Sequence, residues 1–184
     1  MDRERLEGFG FLAAFAACIP AANWLIGNVG TTCVPDGPCL IPVAPGITAP
    51  SGVLMIGLAL VLRDMTQRRL GLGWAVAAII GGAVLSILVA PPALVVASGA
   101  AFLLSELADF AVYTPLQRRR LILAVLASSM VGLVIDSAVF LYLAFGSLAY
   151  FEGQVIGKAW MVLIAMPVIW WLRQRDRRLG IQPA

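Results

Sequence analysis

The sequence predicts an all-α integral membrane protein, a bundle of six transmembrane helices with both termini in the cytoplasm (N-in/C-in). Hydrophobic residues make up 61% of the 184 residues and charged residues only 12%, a composition typical of membrane proteins and not of soluble domains. Twelve of the thirteen basic residues form four short clusters, at the N-terminus and after the second, fourth and sixth apolar stretches. Because cationic loops stay in the cytoplasm, this alternation indicates six crossings.

The apolar stretches predict six spans in a single transmembrane domain, 1–184, at about residues 8–27, 51–62, 72–90, 93–113, 121–145 and 154–172. The second span is short, since about 20 residues are needed to cross the hydrocarbon core. The third stops at Pro91-Pro92, because proline interrupts a helix. Residues 28–50 hold five prolines and no basic residue, so we expect an extracytoplasmic loop too broken for a helix.

The three cysteines divide between this loop and the first span. Cys33 and Cys39 lie in the loop, where an oxidising compartment would permit a disulfide, although the sequence leaves their pairing open. We expect Cys18 to be a small buried apolar residue. No cysteine spacing indicates a metal site, and we predict neither a metal nor a cofactor.

Several polar side chains interrupt the predicted spans. A charged residue at the centre of a membrane helix costs roughly 2.5–3.5 kcal/mol, so such residues are expected to face the interior of the bundle. Gln154 and Lys158 share one helix face at a spacing of four residues. We predict that the in-span polar residues converge on one water-accessible substrate-binding cavity lined by Asn23, Glu106, Asp109, Asp136, Gln154 and Lys158.

The individual charges allow different interpretations. Asp136 and Lys158 both fall in the outer half of the membrane and can pair, so a structural salt bridge is one alternative and outward snorkelling of the lysine is another. Glu106 and Asp109 lie nearer the cytoplasm and have too few cationic partners within the predicted spans for a purely structural account. If a proton drives transport, these two acids are its natural carriers.

Asp64 and Arg68 stand four residues apart at the inner end of the second span. They are either a membrane-interface anchor or a cytoplasmic gate held by ion pairs. Catalysis is not expected, because the chain has no histidine, which excludes histidine-based triads and histidine-bound metals. A Ser-Lys dyad of Ser129 or Ser137 with Lys158 lacks any supporting motif.

The order and spacing of these residues resemble the queuosine-precursor transporters, a vitamin-uptake-transporter-like (VUT) family of small six-helix membrane proteins. The resemblance rests on Asn23, Ser51-Gly52, Asp64 with Gly71, Ser98…Ser105-Glu106…Asp109, Gly132…Asp136-Ser137…Phe140 and Gln154…Lys158…Pro167. The chain departs from the family pattern at Gly57, Arg63, Glu106, Leu133 and Gln154, where Pro, Thr, Gln, Asn and an acid are common.

The resemblance implies import of 7-cyano-7-deazaguanine or a related 7-deazaguanine or purine-like base for tRNA modification, across the bacterial cytoplasmic (inner) membrane. A carboxylate can accept hydrogen bonds from the adjacent N–H groups of such a base, and Trp24, Phe140 or Trp160 can stack on its ring. We therefore expect a nucleobase-like substrate and the lipid bilayer as partners, and no nucleic acid.

The resemblance also implies a fold similar to the vitamin-binding (ECF S-component-like) subunits of ATP-driven importers. The alternative function is thus a substrate-binding subunit that needs a separate energising module. The small-residue spacing of Ala13 and Ala17 suits docking to such an ATPase module or to a second copy in a homo-oligomer. A structural or signalling membrane protein is a third class, and it predicts no saturable ligand binding.

Overall fold

The computed structural model describes residues 3–35, 37–90 and 92–181, and within them the chain forms six α-helices and one small sheet. The helices are α1 Arg3–Asn28, α2 Val53–Leu70, α3 Leu72–Val89, α4 Val95–Leu116, α5 Leu121–Phe145 and α6 Phe151–Leu179. Among the described residues, every helix except α2 is long and apolar enough to cross a membrane. The protein is therefore a multi-pass membrane protein. Pro91, predicted to stop the third span, and the ends of the 1–184 domain lie outside the described residues.

Helix α2 lies at the centre of the bundle and contacts each of the other five helices. All seven residues from Arg63 to Arg69 are buried, although five of them are charged or carry an amide. The predicted end of the second span at residue 62 therefore needs correction, since the helix continues to Leu70. Its polar half needs no apolar composition because neighbouring helices, and not lipid, surround it.

Two apolar clusters hold the helices together. One lies around Phe15, Ile19 and Phe102 on the side of α1 and α4, and the other lies around Val125 and Ile169 on the side of α5 and α6. Between α2 and α3 the connection is the single residue Gly71, whose φ of 88° is a conformation that favours glycine. This tight turn sets α3 directly beside α2.

The loop after α1 contains a three-stranded antiparallel sheet, so the predicted all-α class needs correction for this segment. The strands are β1 Thr32–Cys33, β2 Cys39–Ala44 and β3 Ile47–Pro50, in that order across the sheet. A disulfide joins Cys33 to Cys39 across β1 and β2. Cys18 is free and buried, as predicted. The loop is not helical, also as predicted, but proline content alone does not distinguish a coil from short strands.

The sheet packs against the adjoining ends of α1 and α6. Val43 and Ala49 of the sheet form a small apolar cluster with Val53 at the start of α2. The indole nitrogen of Trp160 donates a hydrogen bond of 2.9 Å to the Val43 carbonyl oxygen. The sheet thereby marks one end of the bundle, and this is the end at which the largest set of predicted site residues meets.

Candidate functional site

A cavity of about 90 Å³ lies between the six helices, beside the end of β3. Most of its wall is apolar. The polar side chains in the wall belong to Asn23, Ser86, Ser98, Asp136, Gln154 and Lys158. The structure thus brings together four of the six predicted site residues, from α1, α5 and α6. This composition, mostly apolar with a few convergent polar groups, is that of a small-molecule site, whereas the volume is below the roughly 300–1,000 Å³ usual for such sites.

Lys158 is the centre of the polar wall, and its side chain is 1% exposed. Its ammonium nitrogen donates to Asp136 Oδ2 at 2.6 Å, Ser137 Oγ at 2.7 Å and Gln154 Oε1 at 2.8 Å. Three acceptors match the three donors of the ammonium group, so burial leaves none of them unsatisfied. The predicted contact with Asp136 is present, and outward snorkelling of Lys158 is wrong.

Gly57 explains how Lys158 reaches this position. A Cβ atom on Gly57 of α2 would lie 2.8 Å from the Lys158 Cα atom and closer still to its carbonyl oxygen. The backbones of α2 and α6 are therefore in direct contact at this level, which requires a residue without a side chain. Gly57 is one of the departures from the resembled family pattern, and the contact shows what the glycine does here.

The hydrogen bonds among the described residues leave several polar atoms of the wall available to a ligand. Asn23 donates its Nδ2 to the Ile19 carbonyl oxygen at 3.0 Å, which leaves Oδ1 as an acceptor. Gln154 uses Oε1 for Lys158, which leaves the two donors of Nε2. Asp136 uses Oδ2, which leaves Oδ1 as a second acceptor. The cavity can therefore bind a solute that carries both N–H and C=O groups.

Aromatic rings complete the wall. Phe140 lines the cavity, as expected for a stacking residue, and Phe102 of α4 lines it as well. Trp24 and Trp160 are 59% and 50% exposed, and neither lines the cavity. The sequence did not single out Phe102, because a phenylalanine in an apolar helix has no pattern that separates a cavity wall from a packed core.

Glu106 and Asp109 do not line this cavity, so their predicted place in it needs correction. Both contact Arg63, a fully buried residue of α2 whose guanidinium lies between α2 and α4. Arg63 Nε donates to Glu106 Oε2 at 2.9 Å, and a terminal nitrogen donates to Asp109. The sequence offered no cationic partner because Arg63 was assigned to the cytoplasmic boundary, whereas α2 carries it into the bundle.

We call Arg63, Asp64, Glu106 and Asp109 the Arg63 cluster. The Asp64 carboxylate lies 3.1 Å from the guanidinium and accepts a hydrogen bond of 3.1 Å from Ser128 of α5. The rings of Phe110 and Tyr113 have their centroids 5.8 Å from the Arg63 Cζ atom. Three carboxyl groups face one guanidinium, so the cluster carries excess negative charge unless protons are bound.

Asp64 and Arg68, the predicted gate pair, have different partners. Arg68 donates to Asp176 of α6 at 2.9 Å, and Arg69 donates to the same carboxylate at 2.7 Å. Arg69 and Arg175 also contact Glu7 of α1, at 3.3 Å and 2.6 Å. This Asp176 network joins the ends of α1, α2 and α6, whereas Asp64 belongs to the Arg63 cluster.

The described residues contain no group of three or more His, Cys, Asp or Glu side chains that could hold a metal ion. Ser137 and Lys158 are in contact, but the lysine donates to the serine oxygen. Ser137 in turn donates to the Leu133 carbonyl oxygen at 2.7 Å. A lysine acting as a base would need the opposite polarity, in which the serine proton points at the amine.

Comparison with known families agrees with a transport role. Residues 51–172 match the family model described as putative vitamin uptake transporter. No curated protein and no solved structure matches the chain. The matched range runs from the start of α2 to residue 172 in α6, and it includes Asp136, Gln154, Lys158 and the Arg63 cluster. A multi-pass bundle with a buried polar cavity and this match together place the protein: it belongs to the vitamin uptake transporter family.

Proposed function

We propose that the protein is a self-sufficient six-span secondary transporter that imports a queuosine precursor, 7-cyano-7-deazaguanine or a related purine-like base, for tRNA modification. The membrane is the bacterial cytoplasmic (inner) membrane, with both termini inside. The observation that carries the proposal is the cavity at Lys158, where available donors and acceptors stand beside two phenylalanine rings. A solute with a flat ring and a polar edge is complementary to that wall.

A 7-deazaguanine has such an edge, with adjacent N–H groups next to a ring carbonyl. Asp136 Oδ1 and Asn23 Oδ1 are acceptors for the N–H groups, and Gln154 Nε2 is a donor for the carbonyl. Phe102 or Phe140 supports the ring by stacking, which contributes about 1–3 kcal/mol per base in other proteins. In this assignment Lys158 orients Asp136 and Gln154 through its hydrogen bonds.

The proposed access route starts at the end of the bundle that carries the sheet and the disulfide, which we assign to the outer side of the membrane. The Arg63 cluster and the Asp176 network lie on the cytoplasmic side of the cavity in this topology. Release into the cytoplasm then requires α2 to move relative to α4 and α6. We therefore assign the gate to the Asp176 network. Of the predicted gate pair, Arg68 is a member of this network, whereas Asp64 belongs to the Arg63 cluster.

The test is uptake in a bacterial strain that cannot synthesise 7-deazaguanines and lacks its own importer. With 7-cyano-7-deazaguanine in the medium, expression of the protein is expected to restore queuosine in tRNA, measured by mass spectrometry of nucleosides. Asp136→Asn and Lys158→Met are each expected to abolish uptake at unchanged membrane expression. Glu152→Gln is the matched control, because Glu152 is an exposed acid near Gln154 on α6.

Two results would contradict the proposal in different ways. Normal uptake by both variants would mean that the polar wall is structural. No uptake by the unmodified protein, together with a thermal shift of the purified protein by a vitamin that is not purine-like, would mean that the substrate class is wrong.

One observation favours the alternative, a substrate-binding subunit that depends on a separate ATP-driven module. Ala13 and Ala17 are both exposed on the outer surface of α1, and small residues at this spacing allow another helix to approach closely. Uptake into proteoliposomes that contain this protein alone supports the self-sufficient transporter. Uptake that appears only after ATPase subunits are added supports the binding subunit.

A further inference from the structure

A second cavity, of about 290 Å³, lies at the opposite end of the bundle from the sheet. It is partly open to solvent, and its wall is formed by the last turns of α2 and α6, by the turn between α4 and α5, and by the first residue of α5. We call it the basic cavity, because five arginines contribute to its wall: Arg68, Arg118, Arg119, Arg173 and Arg177. Its volume is close to the lower end of the range for small-molecule sites, about 300–1,000 Å³.

Among the described residues, too few acids lie in the wall to balance the charge of the basic cavity. Asp176 is the acid in its wall, and its oxygens already accept hydrogen bonds from Arg68 and Arg69. Within residues 3–35, 37–90 and 92–181, the other four arginines of the wall have no salt bridge. Four guanidinium groups around one cavity repel each other, and solvent at the three exposed arginines screens part of this repulsion. A bound anion would remove this repulsion.

Two further features of the wall offer hydrogen bonds to a phosphate-bearing solute that also carries a hydroxyl group. Leu121 is the first residue of the 25-residue helix α5, whose N-cap forms no side-chain hydrogen bond, so the first N–H groups of α5 are donors without intrahelical partners. Gln117 is 5% exposed, and its Oε1 atom has no hydrogen-bond partner. That oxygen is an acceptor for a hydroxyl group on or beside the phosphate.

We infer that the basic cavity is a binding site for a phosphate-bearing anion. Guanidinium groups bind phosphate oxygens in bidentate geometry, and the α5 N-terminus adds backbone donors. The phosphate belongs either to a phospholipid headgroup of the adjoining leaflet or to a soluble phosphate compound, which offer the same group to the arginines. The inference does not depend on which solute the other cavity transports.

Matched arginine substitutions provide the test. Arg119 and Arg177 line the basic cavity, whereas their neighbours Arg120 and Arg178 do not. All four are exposed, so each replacement removes one surface charge. The lining double variant is Arg119→Gln/Arg177→Gln, and the control double variant is Arg120→Gln/Arg178→Gln.

Binding is measured on the full-length protein in a delipidated, neutral detergent. Sodium pyrophosphate is titrated by calorimetry in one arm, and short-chain phosphatidylglycerol, with phosphatidylcholine as its control, in the other. The lining variant is expected to bind at least about ten-fold more weakly than the unmodified protein, because two charge-assisted contacts are lost. The control variant is expected to stay within about two-fold, as screened surface charges contribute little.

Each outcome decides a specific point. Saturable binding of phosphatidylglycerol alone identifies a lipid headgroup site, and binding of pyrophosphate identifies a site for soluble phosphates. The inference is overturned if neither probe binds saturably, or if the lining and control variants bind equally. Because the readout is binding of these probes, failure of the uptake experiment leaves this result unaffected.

Discussion

Replacing Arg63 with methionine removes the guanidinium around which three carboxyl groups are packed. The side chain is 0% exposed, so water cannot replace its contacts with Glu106, Asp109 and Asp64. Methionine fills a similar volume, which keeps the loss of packing small. Removing one partner of a buried ion pair costs about 3–5 kcal/mol, since the other partner remains buried without compensation. Here the carboxyl groups must take up protons or water to remain in the bundle.

The expected loss of unfolding free energy can be converted to a decrease in melting temperature. For a chain of 150–250 residues, about 1 kcal/mol corresponds to about 2–4 °C, so Arg63→Met is expected to lower the Tm by about 6–20 °C. Thermal unfolding of the detergent-solubilised protein, followed by tryptophan fluorescence, measures the shift. Arg120→Met is the control, because Arg120 is exposed. It also removes one positive charge, and its Tm is expected to stay within about 2 °C.

A second variant tests whether the loss of stability comes from the unbalanced negative charge of the carboxyl groups or from the missing arginine side chain itself. Arg63→Met combined with Glu106→Gln leaves Asp64 and Asp109, which can share one proton. This pair of substitutions is expected to recover a substantial part of the lost Tm, although Glu106→Gln adds a second change. If Arg63→Met melts at the same temperature as Arg120→Met, the cluster does not stabilise the fold and the reasoning fails.

Three other changes, two at glycines and one at the disulfide, test single features of the fold. Gly57→Ala is expected to abolish uptake, because its Cβ would lie 2.8 Å from a Cα atom of α6; Gly81→Ala, which has open space around it, should transport normally. Gly71→Ala is expected to lower the unfolding free energy by about 1–2 kcal/mol, since φ is 88°, and an unchanged Tm would contradict this. Replacing Cys33 and Cys39 together with serine is expected to cost about 2 kcal/mol through the lost cross-link. Reductant should lower the Tm of the unmodified protein equally and leave the double variant unaffected.

The apolar helices were predictable because each one faces lipid and must be hydrophobic along its length. The predicted span 121–145 coincides with α5, Leu121–Phe145. Helix α2 was predicted eight residues too short at its C-terminal end, since its second half has the composition expected of a cytoplasmic loop. Only contacts with the five surrounding helices show that this half is buried.

The candidate site, like the fold, was predictable from the sequence only in part. The pairing of Lys158 with Asp136 followed from their similar depth along two helices. The placement of Glu106 and Asp109 did not, because depth along α4 does not reveal which cation lies opposite. Arg63 and Glu106 both depart from the resembled family pattern. In the structure, Arg63 Nε lies 2.9 Å from Glu106 Oε2. Two apparently independent departures thus form one ion pair.

By itself, the sequence determined that this chain spans a membrane, roughly where its apolar helices begin and end, and that its in-span charges face the interior of the bundle. These properties follow from the cost of placing polar groups in hydrocarbon, which applies to each segment separately. The tertiary structure decided which charges pair, that Gly57 brings α6 against α2, and that arginines of α2, α6 and the turn between α4 and α5 line the basic cavity. Such arrangements depend on the packing of segments distant in the chain, and no single segment encodes them.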